Sequence, residues 1–220
     1  MIRQPFDIIF EDDYLIVINK IAKILVHASK NDYTLTSFLE RYIKRNVYPC
    51  HRLDRETTGL ILYAKDREIQ NLITEQFKKN MIKKRYIAFV DGRLKNKEAN
   101  IEGLIIDREG ERFKEKPKKA KTFYRVLEEF KDFSVVEVSP LTGRTNQIRI
   151  QFKKLGNPIL GDYKYAQRKN FKIKFKRLAL HAFYLGFYHP KNKNFIDFKI
   201  KLPQDMENFL EIAKKLKEGL

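Results

Sequence analysis

The sequence predicts an α+β fold with a largely antiparallel sheet, and three observations predict it. Short runs of β-branched and aromatic residues outnumber the segments with helical spacing. Several of these runs are joined by brief polar turns, as the strands of hairpins are. Hydrophobic residues make up 43% of the 220, with 17 Phe and 11 Tyr, enough to fill a proper core. That length suits one large domain or two small ones sharing a sheet.

Each element follows from a local pattern. Residues 7–19 hold two β-branched runs around the acidic turn Glu11-Asp12-Asp13, which reads as a hairpin. Residues 20–29 continue as a loop and a short strand ending near Val26 and His27. Leu35, Phe38, Leu39, Tyr42 and Ile43 then follow the helical period behind Thr34 as N-cap, and Pro49 closes the unit. Asp66 caps a second helix with Ile69, Leu72, Ile73 and Phe77 on one face. Residues 83–90 read as a strand entered through three cations and closed at Asp91-Gly92. A further strand is expected over 101–106, and residues 107–121 are expected to form a mobile basic loop. Strands follow at 122–129 and 133–139. Ile148, Phe152 and Leu155 lie at helical spacing, with Thr145 as N-cap and Gly156 and Pro158 as the stop. Residues 169–177 alternate cations with apolar residues, as a strand or loop with one cationic side would. Two strands over 178–188 and 195–202 and a final helix over 204–218 complete the chain.

The charge narrows the function. Lys and Arg number 46 against 28 acidic residues, a net charge of +18 at pH 7. Such an excess repels itself in a compact state and points to a polyanionic partner, nucleic acid before anionic membrane. No apolar run reaches the length needed to cross a bilayer and residues 1–11 carry no signal-peptide pattern, so the cytosol is the expected compartment. One cysteine, Cys50, excludes an internal disulfide. Walker, dinucleotide and Gly-x-Ser-x-Gly patterns are missing, and His27, His51, His181 and His189 lack metal-ligand spacing.

What remains is the stretch His51-Arg52-Leu53-Asp54-Arg55-Glu56-Thr57-Thr58-Gly59-Leu60. Asp54 stands between two arginines, and nearby positive charge favours its ionised form. An ionised, positioned carboxylate can act as nucleophile, base or electrostatic stabiliser. The same spacing would equally make a surface turn laced with ion pairs. Cys50 and His51 are adjacent in an extended segment and so do not face each other as a nucleophilic pair. Tyr86 is either a core tyrosine or a ring stacked on a base. Arg144 and Arg149 either contact phosphate or pair with a carboxylate. Lys116, Lys118 and Lys119, in the basic loop, are candidate phosphate contacts.

The stretch from His51 to Leu60 closely resembles the signature of the RluA-type RNA pseudouridine synthases. Three further blocks fall in that family's order: Glu11-Asp12-Asp13-Tyr14-Leu15-Ile16-Val17-Ile18-Asn19-Lys20, then Lys84-Arg85-Tyr86-Ile87-Ala88-Phe89-Val90-Asp91-Gly92. The last is Leu141-Thr142-Gly143-Arg144-Thr145-Asn146-Gln147-Ile148-Arg149 with Gly156-Asn157-Pro158-Ile159-Leu160-Gly161-Asp162. The resemblance implies a mixed, mainly antiparallel sheet in two halves, with flanking helices and a central RNA-binding cleft. It implies isomerisation of uridine to pseudouridine in structured RNA, ribosomal or transfer, without cofactor or metal. Asp54 would be the nucleophile, on C1′ of the ribose or C6 of the uracil. Tyr86 would stack on the flipped base, Arg149 would pair with Asp54, and Arg52 would fill the space the nucleotide leaves. Arg55 and Arg144 would contact the RNA, while Cys50 and His51 are bystanders. The family pattern begins within ten residues of Met1. Residues 1–220 are therefore expected to form a single catalytic domain without an N-terminal S4 domain, a monomer with no obligate protein partner. A non-catalytic RNA-binding protein that keeps the synthase fold is the competing reading. Four positions depart from the family pattern: Ile21 for the usual Pro, Lys23 for Gly, Asn146 for His and Gln151 for His.

Overall fold

A computed structural model describes residues 4–27, 33–106, 116–166 and 171–219. In chain order the elements are β1 (Phe6–Glu11), β2 (Leu15–Lys20), α1 (Leu35–Ile43), β3 (Tyr48–Pro49), β4 (Thr58–Ala64), α2 (Arg67–Lys78), β5 (Lys83–Asp91), β6 (Glu98–Ile105), β7 (Lys118–Glu129), β8 (Phe133–Pro140), α3 (Gln147–Lys154), β9 (Leu180–Tyr188), β10 (Phe195–Lys199) and α4 (Gln204–Glu218). They form two compact units, Met1–Lys84 with Ala182–Lys201 and Arg85–His181 with Leu202–Leu220, so the division falls inside β5 and β9. The fold is α+β with a mainly antiparallel sheet, as the pattern of short runs implies. No helix among the described residues is long and apolar enough to cross a membrane.

In the first unit the strand order is β1-β2-β4-β9, with β3 on β4 and β10 on β9. The expected hairpin is β1 and β2, paired Asp7 to Asn19 and Ile8 to Ile18. Its turn is built by Asp12, whose Oδ1 accepts from the Tyr14 and Leu15 N–H groups at 2.8 and 2.7 Å. All seven residues of β4 are buried, Leu60, Leu62 and Ala64 in the core with Ile69 and Ile73 of α2 and Tyr63 against Thr36 of α1, so both faces are covered and the apolar run after the motif is unbroken. Gly59 opens β4 at φ +115°, and a Cβ there would lie 2.2 Å from the Ala182 carbonyl oxygen. Only glycine permits that approach. Leu15, Val17, Leu60, Leu62, Ile69, Ile73, Leu185 and Phe187 form the core, with Phe77 partly buried against it, while Leu72 of the predicted α2 face is exposed. Both expected caps form. Thr34 and Ser37 exchange side-chain and backbone bonds in a capping box, and Asp66 accepts from the Ile69 N–H at 2.8 Å.

The second unit has the strand order β5-β8-β7-β6. Its core is aromatic: Phe89, Phe133, Phe175 and Phe209 pack ring to ring at 5.2–6.2 Å. Phe209 comes from α4, which spans the predicted residues. Helix α3 is stitched to the sheet by buried amides. Gln147 Nε2 donates to Thr122 Oγ1 at 2.8 Å, Thr122 Oγ1 donates to Gln151 Oε1 at 2.6 Å, and Gln151 Nε2 donates to the Ile101 carbonyl at 3.0 Å.

Three expectations need correction. Residues 21–27 contain no strand, and residues 28 and 29 lie outside the described set. Val26 instead gives its carbonyl to the Thr36 N–H and hydroxyl at the start of α1. Strand β7 begins at Lys118 instead of 122 and β6 at Glu98 instead of 101, with Ile105 paired to Lys118 and Leu104 to Lys119. Lys118, Lys119 and Lys121 are therefore strand residues, since hairpin pairing outweighs the polar composition that suggested a loop; residues 107–115 lie outside the described set. Residues 171–177 take the loop form of the expected cationic segment, with Lys172, Lys174 and Lys176 exposed and Phe175 and Arg177 turned inward, Arg177 onto Asp205 at 2.6 and 2.7 Å. Residues 169 and 170 are outside the described set. Helix α3 is capped at Asn146, not Thr145, and without a side-chain cap bond.

Two outcomes follow. Thr122→Val, close in shape, deprives both Gln147 and Gln151 of a buried partner and should lower stability by about 1–3 kcal/mol in urea unfolding. His51 Nε2 accepts from the Leu62 N–H at 3.0 Å, so the neutral ring carries its proton on Nδ1. Burial, and after it the Lys84 charge, push the His51 pKa down to about 3. The unfolded chain then binds a proton that the folded chain refuses. Its contribution is complete above about pH 6.5 and is lost as pH falls toward 3, by at most about 1.4 kcal/mol per pH unit. His51→Gln keeps an acceptor for Leu62 and should flatten the acid limb of stability against pH.

Candidate active site

Asp54 lies in the loop between β3 and β4 and is half-buried. Its carbonyl accepts from the Thr57 N–H at 3.1 Å, closing a tight turn over residues 54–57. Beneath this turn is Lys20, 1% exposed, at the end of β2. Its ammonium donates to the carbonyls of Ile21, Arg55 and Thr57 at 2.9, 3.1 and 2.8 Å. A buried charge demands such partners, so the loop is held through its backbone carbonyls. Lys23 adds a second tie: its N–H donates to the Arg55 carbonyl at 2.8 Å. Lys23 has φ +69°, which explains why glycine is usual at this position in the resembling family. At the usual proline position Ile21 has an N–H, which donates to the Pro5 carbonyl at 3.2 Å. Arg52 and Arg55 are exposed on the same loop.

The second unit carries Tyr86 and Arg149. Tyr86 lies on β5 opposite Val138 and is buried. Arg149, on the first turn of α3, is 7% exposed and forms a two-pronged pair with Asp162, itself 1% exposed. Nε reaches Oδ2 at 2.9 Å and Nη2 reaches Oδ1 at 2.7 Å. Nη1 donates to Asn146 Oδ1 at 2.8 Å, and the guanidinium lies 4.7 Å from the centre of the Tyr165 ring. Fork-on-carboxylate geometry of this kind fixes both the position and the plane of an arginine. Just before Asp162, Gly161 at φ +73° lets the backbone of Arg177 approach closely: a Cβ there would meet its carbonyl oxygen at 1.8 Å.

The lysine group divides. Lys116, Lys118 and Lys119 are all exposed, with Lys118 and Lys119 on β7. Arg144 joins them, its Nε donating to the Lys119 carbonyl at 3.2 Å. Among the described residues no three His, Cys, Asp or Glu side chains gather as metal ligands. Burial pushes the Cys50 thiol up to about 12 and, with His51 neutral, leaves neither suited to nucleophilic work. Burial also lowers Lys84 to about 8, beside the Phe77 ring. Lys20 and Asp162 carry structural weight that sequence reasoning missed. The available signals were a cation ending an apolar strand and an acid following a glycine, and neither names its partner.

Known proteins resemble this chain in sequence and in fold. The sequence profile of the RNA pseudouridylate synthase family matches residues 14–154, a span that contains Asp54, Tyr86 and Arg149. The tRNA pseudouridine synthase C of Haemophilus ducreyi is 37% identical over 230 residues, covering 93% of this chain and 94% of the relative. The ribosomal large subunit pseudouridine synthase D of Zymomonas mobilis is 32% identical over 235 residues, covering 92% and 71%. The solved structure of human RNA pseudouridylate synthase domain containing 4 shares the fold, with a TM-score of 0.77 over 94% of this chain and 92% of that one at 24% identity. This chain belongs to the RNA pseudouridylate synthase family.

Proposed function

We propose that this chain isomerises specific uridines to pseudouridine in ribosomal or transfer RNA, with Asp54 as the nucleophile. The observation that carries the reading is the family match over residues 14–154, joined to relatives whose names specify transfer RNA and ribosomal RNA. The reaction breaks the bond between N1 and C1′ and forms one between C5 and C1′. A proton leaves C5 and one is gained at N1, so no oxidant or reductant is required. Addition of the Asp54 carboxylate to C1′ or to C6 would release the base for rotation. Tyr86 stacks on the flipped base, Arg149 supplies the positive charge that keeps the reacting carboxylate ionised, and Arg52 fills the space in the RNA stack. Flipping costs a few kcal/mol, which aromatic stacking at about 1–3 kcal/mol helps to offset.

Arg55, Arg144, Lys116, Lys118 and Lys119 bind the phosphate backbone, supported by the net charge of +18. Residues 1–220 act as one catalytic domain, as a monomer in the cytosol. The 94% coverage of a relative named as a tRNA pseudouridine synthase supports a domain of this extent.

Asp54→Asn should abolish pseudouridine formation while RNA affinity stays within a few-fold, because the change removes a reactive carboxylate and leaves every phosphate-binding cation in place. Tritium release from RNA carrying 5-tritiated uridine measures the first, and filter binding the second; full turnover by the variant would remove the carboxylate mechanism. Replacing Lys116, Lys118 and Lys119 together with Ala should weaken binding and flatten its salt dependence. The slope should fall by about 0.7–0.9 for each phosphate that is no longer neutralised. An unchanged slope would leave those lysines as solvated residues only.

A further inference from the structure

We propose that Asn146 contacts the substrate, its side-chain amide donating to a carbonyl oxygen of the target uracil. The proposal rests on the pseudouridine synthase reading above and adds a residue to it. Asn146 is 5% exposed, and its Oδ1 accepts from Arg149 Nη1 at 2.8 Å. A guanidinium only donates, so the amide atom facing it must be the oxygen. The orientation of the group is thereby settled, and Nδ2 points the other way. That nitrogen is buried and has no hydrogen-bond partner among the described residues. Buried donors nearly always find an acceptor, and an exception beside a functional residue calls for a ligand that supplies one.

The group is also held firmly. Asn146 has φ +53°, a left-handed conformation that asparagine tolerates better than most residues. Its carbonyl accepts the first helical bond of α3, from the Ile150 N–H at 3.0 Å. Its side chain is anchored on Arg149, which Asp162 fixes from the far side. The donor is therefore preorganised, as a substrate-contacting group should be.

The acceptor is a neutral one. Uracil has two carbonyl oxygens and no charge, which suits a neutral amide donor. Because the usual family residue here is histidine, a ring N–H at the same position could serve the same acceptor.

The test uses a synthetic RNA hairpin on which the wild-type chain forms pseudouridine. Asn146→Asp keeps an oxygen for Arg149 and loses the donor. It should lower kcat/KM by about tenfold or more. Asn146→His restores a donor and should stay within about threefold of wild type. Replacing the target uridine by 2-thiouridine or 4-thiouridine weakens one carbonyl acceptor at a time. One of the two should slow the wild type and leave Asn146→Asp no slower than it already is. Unchanged activity in Asn146→Asp would overturn the proposal, and so would a wild type indifferent to both thio substitutions. The second criterion needs no variant and decides the matter even if Asn146→Asp unfolds. A wild type that forms no pseudouridine in any ribosomal or transfer RNA would overturn the functional reading itself.

Discussion

A cation removed from water must be given acceptors, and this constraint shapes both halves of the molecule. In the first unit Lys20 meets it with three backbone carbonyls, two of them in the loop that carries Asp54. In the second unit Arg149 meets it with both oxygens of Asp162 and the amide oxygen of Asn146. Removing one partner of such a buried pair typically costs about 3–5 kcal/mol, because the other charge is left stranded. Each cation therefore holds its surroundings in a single arrangement. Flexible surface pairs, such as Lys78 with Glu75, impose far less.

The departures from the family pattern can be understood in the same terms. Lys23 adopts the left-handed conformation that glycine would take freely, and uses its N–H on the Asp54 loop. Ile21 uses an N–H that proline would lack. Gln151 spans β6 and β7 with one amide, accepting from Thr122 and donating to Ile101. All three replacements therefore serve the scaffold. Asn146 is different, since half of its amide serves Arg149 and the other half is without a partner among the described residues.

Electrostatics divide between scaffold and surface. The cations that set geometry are buried and hydrogen-bonded, while Lys118 and Lys119 on β7, Lys116 two residues before it and Arg52 and Arg55 of the Asp54 loop are exposed. Salt screens the exposed group and hardly touches the buried one. Affinity and site geometry thus respond to different conditions.

By itself the sequence determined nearly all of the secondary structure and the family. Hydrophobic period, the Thr34 and Asp66 caps and the acidic turn at Asp12 act over a few residues, so they can be read locally. The motif around Asp54 was legible because its residues are contiguous. What only the tertiary structure decided are the partnerships across distance: Lys20 with Arg55 and Thr57, 35 and 37 positions on, Arg149 with Asp162, 13 on, and Thr122 with Gln151, 29 on. The strand character of Lys118 and Lys119 belongs to the same class, since it depends on pairing with β6. A charged or amide side chain announces that it needs a partner when buried. Which partner it takes is chosen by the packing of elements distant in sequence, and that choice turned an isolated Arg149 into a cluster with Asp162 and Asn146.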